Sequence, residues 1–175
     1  ILAVTFTNKA AKEMRDRASK LLNNDNLPIT NGTFHSLCAR ILRNEAKFLN
    51  LSQQFVIYDM QDQVDLIKML LKKLDVSKNI LTPNRARNII SSLKNKIIMP
   101  EDQKRKARTN FDKTFAELYN LYQKGLRNNE ALDFDDLLLL PLELFDNNPT
   151  VLNKYQDKWK YILVDEYQDT NKPQF

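Results

Sequence analysis

The chain has 175 residues, 42% hydrophobic and 28% charged, with 27 Lys/Arg against 22 Asp/Glu and a net charge of +5. It has no unbroken apolar run long enough to cross a bilayer and no signal-peptide pattern, so composition predicts a soluble, cytoplasmic protein. One cysteine excludes an internal disulfide, and Cys38 lies among Leu37, Ile41 and Leu42, where a small buried hydrophobe is expected rather than a zinc ligand or nucleophile.

Short apolar runs alternate with helical patterns, the signature of a parallel sheet flanked by helices. Leu2 to Phe6 reads as a strand. Asn8 is then expected to cap a helix with Ala11, Met14, Ala18 and Leu21 at helical spacing, leaving Lys9, Lys12, Arg15 and Arg17 largely outside. A second strand is expected from Ile29 to Thr33, feeding a helix in which Leu37, Ile41 and Phe48 share a face. A third, Phe55 to Tyr58, runs into Asp59, which can cap a helix built on Met60, Val64, Ile67, Leu71 and Leu74.

From about Asp75 to Asn129 no β-rich run appears, while Phe111, Phe115, Leu118 and Tyr122 recur at helical spacing. This predicts a mainly helical inserted subdomain over 75–129, between a first α/β part over 1–74 and a return over 130–175. In the return, Asp133 can cap a helix running towards Phe145, with Pro141 expected to kink or interrupt it. Asn148 and Pro149 begin another helix ending near Trp159, and Tyr161 to Val164 reads as the final strand.

Charge is unevenly distributed. Between Lys78 and Lys113 there are ten Lys/Arg against Glu101, Asp102 and Asp112, so this segment carries +7 and the remainder −2. Such a concentration suits a polyanion such as a nucleic acid backbone, and a solvated lysine-rich surface is the other reading of the same charge.

Three strand-to-helix corners carry more chemistry than packing alone requires. Thr5-Phe6-Thr7-Asn8-Lys9 places hydroxyls, an amide, a cation and an aromatic ring at a helix N-terminus, a ready phosphate site beside a base-stacking platform. Gly32-Thr33-Phe34-His35-Ser36 repeats the design with the only histidine. Polar caps beside core aromatics would explain either corner alone. The third corner ends the apolar run Ile162-Leu163-Val164 in Asp165-Glu166, carboxylates suited to hold magnesium and polarise water at the carboxyl end of a parallel strand. A phosphate loop of the form G-x-x-x-x-G-K-[ST] needs two glycines at fixed spacing, and the chain has only Gly32 and Gly125. Together with a start at Ile1 and an end at Phe175 close behind the acidic motif, this leads us to expect a piece of a longer motor.

The segments ILAVTFTNKAAKEMRDR, GTFHSLCARILR, FVIYD, ALDFDDLLLL and YILVDEYQDTN, in this order and at these separations, resemble the first motor domain of UvrD/Rep/PcrA-type superfamily 1 DNA helicases. The resemblance covers essentially the whole chain and is weakest over 75–129, the place of that family's helical insertion. It implies a truncated RecA-like α/β fold, an ATP- and Mg2+-dependent enzyme, and 3′ to 5′ translocation on single-stranded DNA with separation of the duplex ahead.

By the same resemblance Asp165 would hold the metal and Glu166 would activate the attacking water, while Gln168 and Asp169 would link the nucleotide site to the DNA track. Phe6, Thr7, Asn8 and Lys9 fall in the first DNA-contacting motif, and Thr33, Phe34, His35 and Ser36 in the second. The basic insertion would approach the duplex at a single-strand/duplex junction, with Lys94, Lys96, Lys104, Arg105 and Arg108 on its duplex-facing side. Without the phosphate loop, the second motor domain and its arginine finger, the segment alone is expected neither to hydrolyse ATP nor to unwind DNA. Two other readings stand beside this one: the motor of a helicase–nuclease, and a DNA-binding module with a degenerate motor.

Overall fold

The computed structural model describes residues 1–26, 28–77 and 79–175. In chain order the elements are β1 (Leu2–Thr5), α1 (Asn8–Leu22), β2 (Thr30–Thr33), α2 (Phe34–Asn44), a 3-10 turn (Ala46–Leu49), β3 (Val56–Tyr58), α3 (Met60–Lys73), α4 (Pro83–Asn95), α5 (Pro100–Lys106), α6 (Asn110–Asn128), β4 (Ala131–Asp133), α7 (Phe134–Asn147), α8 (Pro149–Lys158), β5 (Ile162–Val164) and a second 3-10 turn (Tyr167–Asp169). The chain divides into two compact units, one of residues 1–53 with 140–175 and the other of residues 54–139.

The first unit holds a three-stranded parallel sheet in the order β2-β1-β5. All four residues of β1 are buried, as befits the central strand of a parallel sheet covered on its faces. Leu2 and Val4 pack with Leu37 and Ile41 of α2, Leu144 of α7, and Val151 and Tyr155 of α8. Two polar ties secure this core. The Trp159 indole N–H donates to Thr30 Oγ1 at 3.1 Å, and the buried Glu45 carboxylate accepts from Lys154 Nζ at 2.5 Å and from the Tyr155 hydroxyl at 3.0 Å. Burial pushes the Glu45 carboxyl up, but these two hydrogen bonds and the charges of Lys154 and Lys47 outweigh it and hold the group below its ordinary value.

The second unit holds a two-stranded parallel sheet, β3 with β4, and the helices α3 to α6. Leu66, Ile67 and Leu71 of α3 meet Ile90 of α4 and Phe115, Leu118, Tyr119, Tyr122 and Leu126 of α6. A Cβ at Gly125 would stand 3.1 Å from Leu66 Cδ1, so the missing side chain permits the close approach of α6 to α3. Fully burying each such side chain stabilises the fold by roughly 1.5–3 kcal/mol.

Several expectations change. The first helix is capped by Thr7 rather than Asn8: Thr7 has extended backbone and its side chain accepts from Ala10 N–H. Phe48 does not share a helical face with Leu37 and Ile41, because α2 ends at Asn44 and Phe48 is exposed in the following 3-10 turn. Met60 is also exposed, since α3 buries the stripe through Gln63, Leu66, Ile67 and Leu71. Asp59 does cap α3, reciprocally with Asp62, and Asp133 caps α7 by accepting from Asp136 N–H at 2.8 Å. Helix α7 runs on through Pro141 without interruption. Asn148 precedes α8 as expected, but its amide donates to Leu144 O instead of serving the new helix.

The boundary expected at 74/75 also moves. Strand β3 and helix α3 belong to the second unit, where β3 finds β4, a strand not among those expected. Cys38 is half-buried, and burial pushes its thiol up to about 12, the condition of an inert packing cysteine.

Candidate functional site

The parallel register aligns the carboxyl ends of the three strands of the first unit in one row. Thr33 of β2 pairs with Thr5 of β1, and on the other side Asp165 follows the paired Val4 and Val164, its N–H donating to Val4 O at 2.9 Å. The corners that are 28 residues apart in sequence are therefore neighbours. Their rings pack together, Phe6 against Phe34 with centroids 5.5 Å apart and planes tilted by 53°, both half-buried.

Each corner is built by its helix cap. At the second, Thr33 Oγ1 accepts from Ser36 N–H at 3.2 Å while Ser36 Oγ accepts from Thr33 N–H at 3.0 Å and donates to Thr33 O at 2.9 Å. A Cβ at Gly32 would lie 2.8 Å from Ser36 Oγ, so glycine there leaves room for the capping box to close. His35 is half-buried within the first turn of α2. At the first corner Thr7 caps α1, with Thr7, Asn8 and Lys9 exposed. The Asn31 amide donates to Ala11 O at 2.6 Å and holds α1 to β2.

The acidic corner is exposed. Asp165 and Glu166 lie beyond the end of β5, and Glu166 adopts a left-handed backbone, φ 50° and ψ 44°, that turns the chain out of the strand. For a residue with a Cβ this conformation costs of order 1 kcal/mol, the kind of local strain found at functional sites. The Gln168 amide rests on Glu166 Oε2, and Asp169 closes the 3-10 turn with its N–H on Glu166 O at 2.9 Å. Asp165 Oδ2 accepts a hydrogen bond from Thr5 Oγ1 at 3.2 Å.

Among the described residues no group of three or more His, Cys, Asp or Glu could enclose a metal by itself. Magnesium takes one or two carboxylates and completes its shell with waters and phosphate oxygens, and an exposed strand-end carboxylate with one oxygen anchored fits such a role.

Sequence reasoning placed one residue wrongly. Lys94 is fully buried, with Nζ 2.6 Å from Asp133 Oδ2 and 2.7 Å from Asp136 Oδ1, so it cannot line a duplex-facing surface. Tyr122 donates to the same Asp133 oxygen at 2.9 Å, and Gln123 to Asp136 at 3.2 Å. Burial opposes the charge on Lys94, but Asp136 and Asp133 outweigh it and raise the ammonium above its ordinary value, while burial pushes Asp136 upward. Lys96, Lys104, Arg105 and Arg108 are exposed as expected. Lys104 lines a groove between α5 and α6 with Glu101, Lys113 and Glu117, and Arg105 is paired with Asp102. Lys78, counted in the basic segment, lies outside the described residues. Thr5 was not among the expected site residues. Its place before Phe6 at the end of a strand is a signal for a corner, but no sequence pattern shows that it faces Asp165.

Among the described residues no helix is long and apolar enough to cross a membrane. The ATP-dependent DNA helicase PcrA of Staphylococcus aureus is 44% identical over 175 residues, which is all of this chain and 24% of that protein. PcrA of Staphylococcus epidermidis is 45% identical over the same length and share. The chain thus spans about a quarter of the length of these curated relatives. A family model described as the UvrD/REP helicase N-terminal domain matches residues 1–175, and the chain belongs to that family.

Proposed function

We propose that this chain is the part of an ATP-driven, 3′ to 5′ DNA helicase that grips single-stranded DNA and supplies the acidic half of the Mg-ATP site. The observation that carries this reading is the row of strand ends, which sets the aromatic corners of β1 and β2 beside the Asp165 carboxylate. Phe6 offers a face for a base, and Thr7, Asn8, Lys9, Thr33, His35 and Ser36 surround it with polar groups at two helix N-termini. In phosphoryl transfer, magnesium bound with the nucleotide neutralises developing charge. Asp165 is the carboxylate to hold it, and Glu166 the base to take a proton from the attacking water. Gln168, in contact with Glu166, and Asp169 tie this corner to the turn that follows.

The exposed Lys96, Lys104, Arg105 and Arg108 of the second unit suit phosphates of a single-strand/duplex junction, contacts that position without reading sequence. With the phosphate loop and a second motor half lacking from the 175 residues, the isolated segment binds DNA weakly at most and is inactive as an ATPase.

The test uses the full-length protein that carries this segment. Glu166→Gln lowers DNA-stimulated ATP hydrolysis by about 10²-fold or more while single-strand binding persists. Hydrolysis at the wild-type rate in that variant overturns the assignment of the base, and a DNA-dependent ATPase from the 175-residue segment alone overturns the division of labour.

A further inference from the structure

Three threonines stand at the carboxyl ends of β1 and β2, and the structure divides their work. Thr7 and Thr33 accept hydrogen bonds from the N–H groups of Ala10 and Ser36, so their oxygens are committed to capping helices. Thr5 is not a cap. It is 2% exposed, ends the central strand, and donates its hydroxyl proton sideways to Asp165 Oδ2 at 3.2 Å. Its neighbour in register on the other side, Thr33, has its hydroxyl in the capping box, so the two hydroxyls of the pair serve opposite ends of the row.

We propose that Thr5 is a positioning residue for the metal carboxylate: its buried hydroxyl holds one oxygen of Asp165 and leaves the other to face a divalent cation. This rests on the reading of Asp165 given above. Asp165 has few other restraints. It is exposed, and it lies one residue past the last paired position of β5, an edge strand of the described sheet. Its N–H on Val4 O fixes the backbone, and Thr5 Oγ1 fixes the side chain, so both anchors come from consecutive residues of β1. A β-branched residue suits the task because its side-chain torsion is stiff, and burial at the end of the central strand keeps the donor still. Magnesium demands near-ideal octahedral geometry, so a carboxylate fixed in one orientation holds it better than one free to rotate. Hydrogen-bonding partners behind a metal ligand commonly change metal affinity by about 10–100-fold when removed.

The proposal separates the hydroxyl from the packing of Thr5. Valine keeps the shape and removes the donor, whereas serine keeps the donor and removes a methyl. In the full-length protein, Mn2+ binding in the presence of ADP is followed by electron paramagnetic resonance for Thr5→Val, Thr5→Ser and Asp165→Asn. Thr5→Val is expected to weaken Mn2+ binding about 10-fold, and Thr5→Ser to restore it to within about 3-fold of wild type. If Thr5→Ser is the worse binder, Thr5 acts by packing and the proposal fails. It fails equally if neither variant moves the Mn2+ affinity while Asp165→Asn does. If Asp165→Asn itself leaves Mn2+ binding intact, the metal reading of Asp165 is overturned along with it. Should Thr5→Val not fold, Thr5→Ala against Thr5→Ser gives the same contrast, because alanine lacks the donor and serine keeps it.

Discussion

The chain carries two strand ends rich in carboxylates, and they meet opposite fates. In ALDFDD, at the end of β4, Asp133 and Asp136 are buried around Lys94, with Tyr122 and Gln123 completing their hydrogen bonds. In LVDE, at the end of β5, Asp165 and Glu166 are exposed and held by Thr5, by the backbone and by Gln168. A carboxylate at a strand end thus stays open to a ligand or becomes a strut according to whether a cation of the same chain closes over it. A buried charge must be paired, and a paired one is no longer available to a ligand.

The comparison can be broken most forcefully at Lys94. Lys94→Met leaves two carboxylates buried without their cation and is expected to destabilise the protein by about 3–5 kcal/mol in urea unfolding, whereas Lys96→Met stays within about 0.5 kcal/mol. Equal, small effects would return Lys94 to the surface and undo the contrast. At the aromatic corner Phe6→Ala, in the full-length protein, is expected to weaken single-strand binding by about 1–3 kcal/mol in fluorescence anisotropy, and unchanged affinity would make Phe6 a core residue that merely packs on Phe34.

A third ionic group lies between the two extremes. Glu45 is buried but its partner Lys154 is largely exposed. Lys154→Ala is expected to cost less than about 1 kcal/mol at neutral pH. The Glu45 carboxyl sits below its ordinary 4.5, so its contribution is fully present above that pH and is lost as pH falls through the lower folded value. The gap between Lys154→Ala and wild type therefore narrows in acid, and a gap that widens below pH 4.5 would contradict the assignment. The smallest effect is expected at the candidate site: Asp165→Asn, on an exposed group whose oxygen can still accept from Thr5, changes unfolding stability by under about 0.5 kcal/mol. A larger loss would make Asp165 a second strut.

Much of this was legible in the residues. The alternation of apolar runs and helical patterns placed β1, β2, β3, β5 and most helices, because strand and helix periods are written locally. Asp59 and Asp133 were readable as caps for the same reason: a cap acts within three residues. Thr7 displaced Asn8 by one position, a choice between adjacent good caps that local chemistry leaves nearly even. Phe48 and Met60 went astray where a helix ended early or turned another stripe inward.

By itself the sequence determined the local rules, namely which segments are strands, where helices begin, and that three polar corners stand at strand ends. Tertiary structure alone decided which corners meet. Parallel pairing of β2, β1 and β5 brings Thr33 and Asp165 to either side of Thr5, and Asp165 lies 160 residues after Thr5 in the chain. The β3–β4 pair draws the expected boundary away from 74/75, and the fold carries Lys94 inward to carboxylates 39 and 42 residues later. The physical reason is common to all three: a charge or a hydroxyl is identical in any sequence context, and its role is fixed by the dielectric and the partner it meets, both supplied by residues remote along the chain.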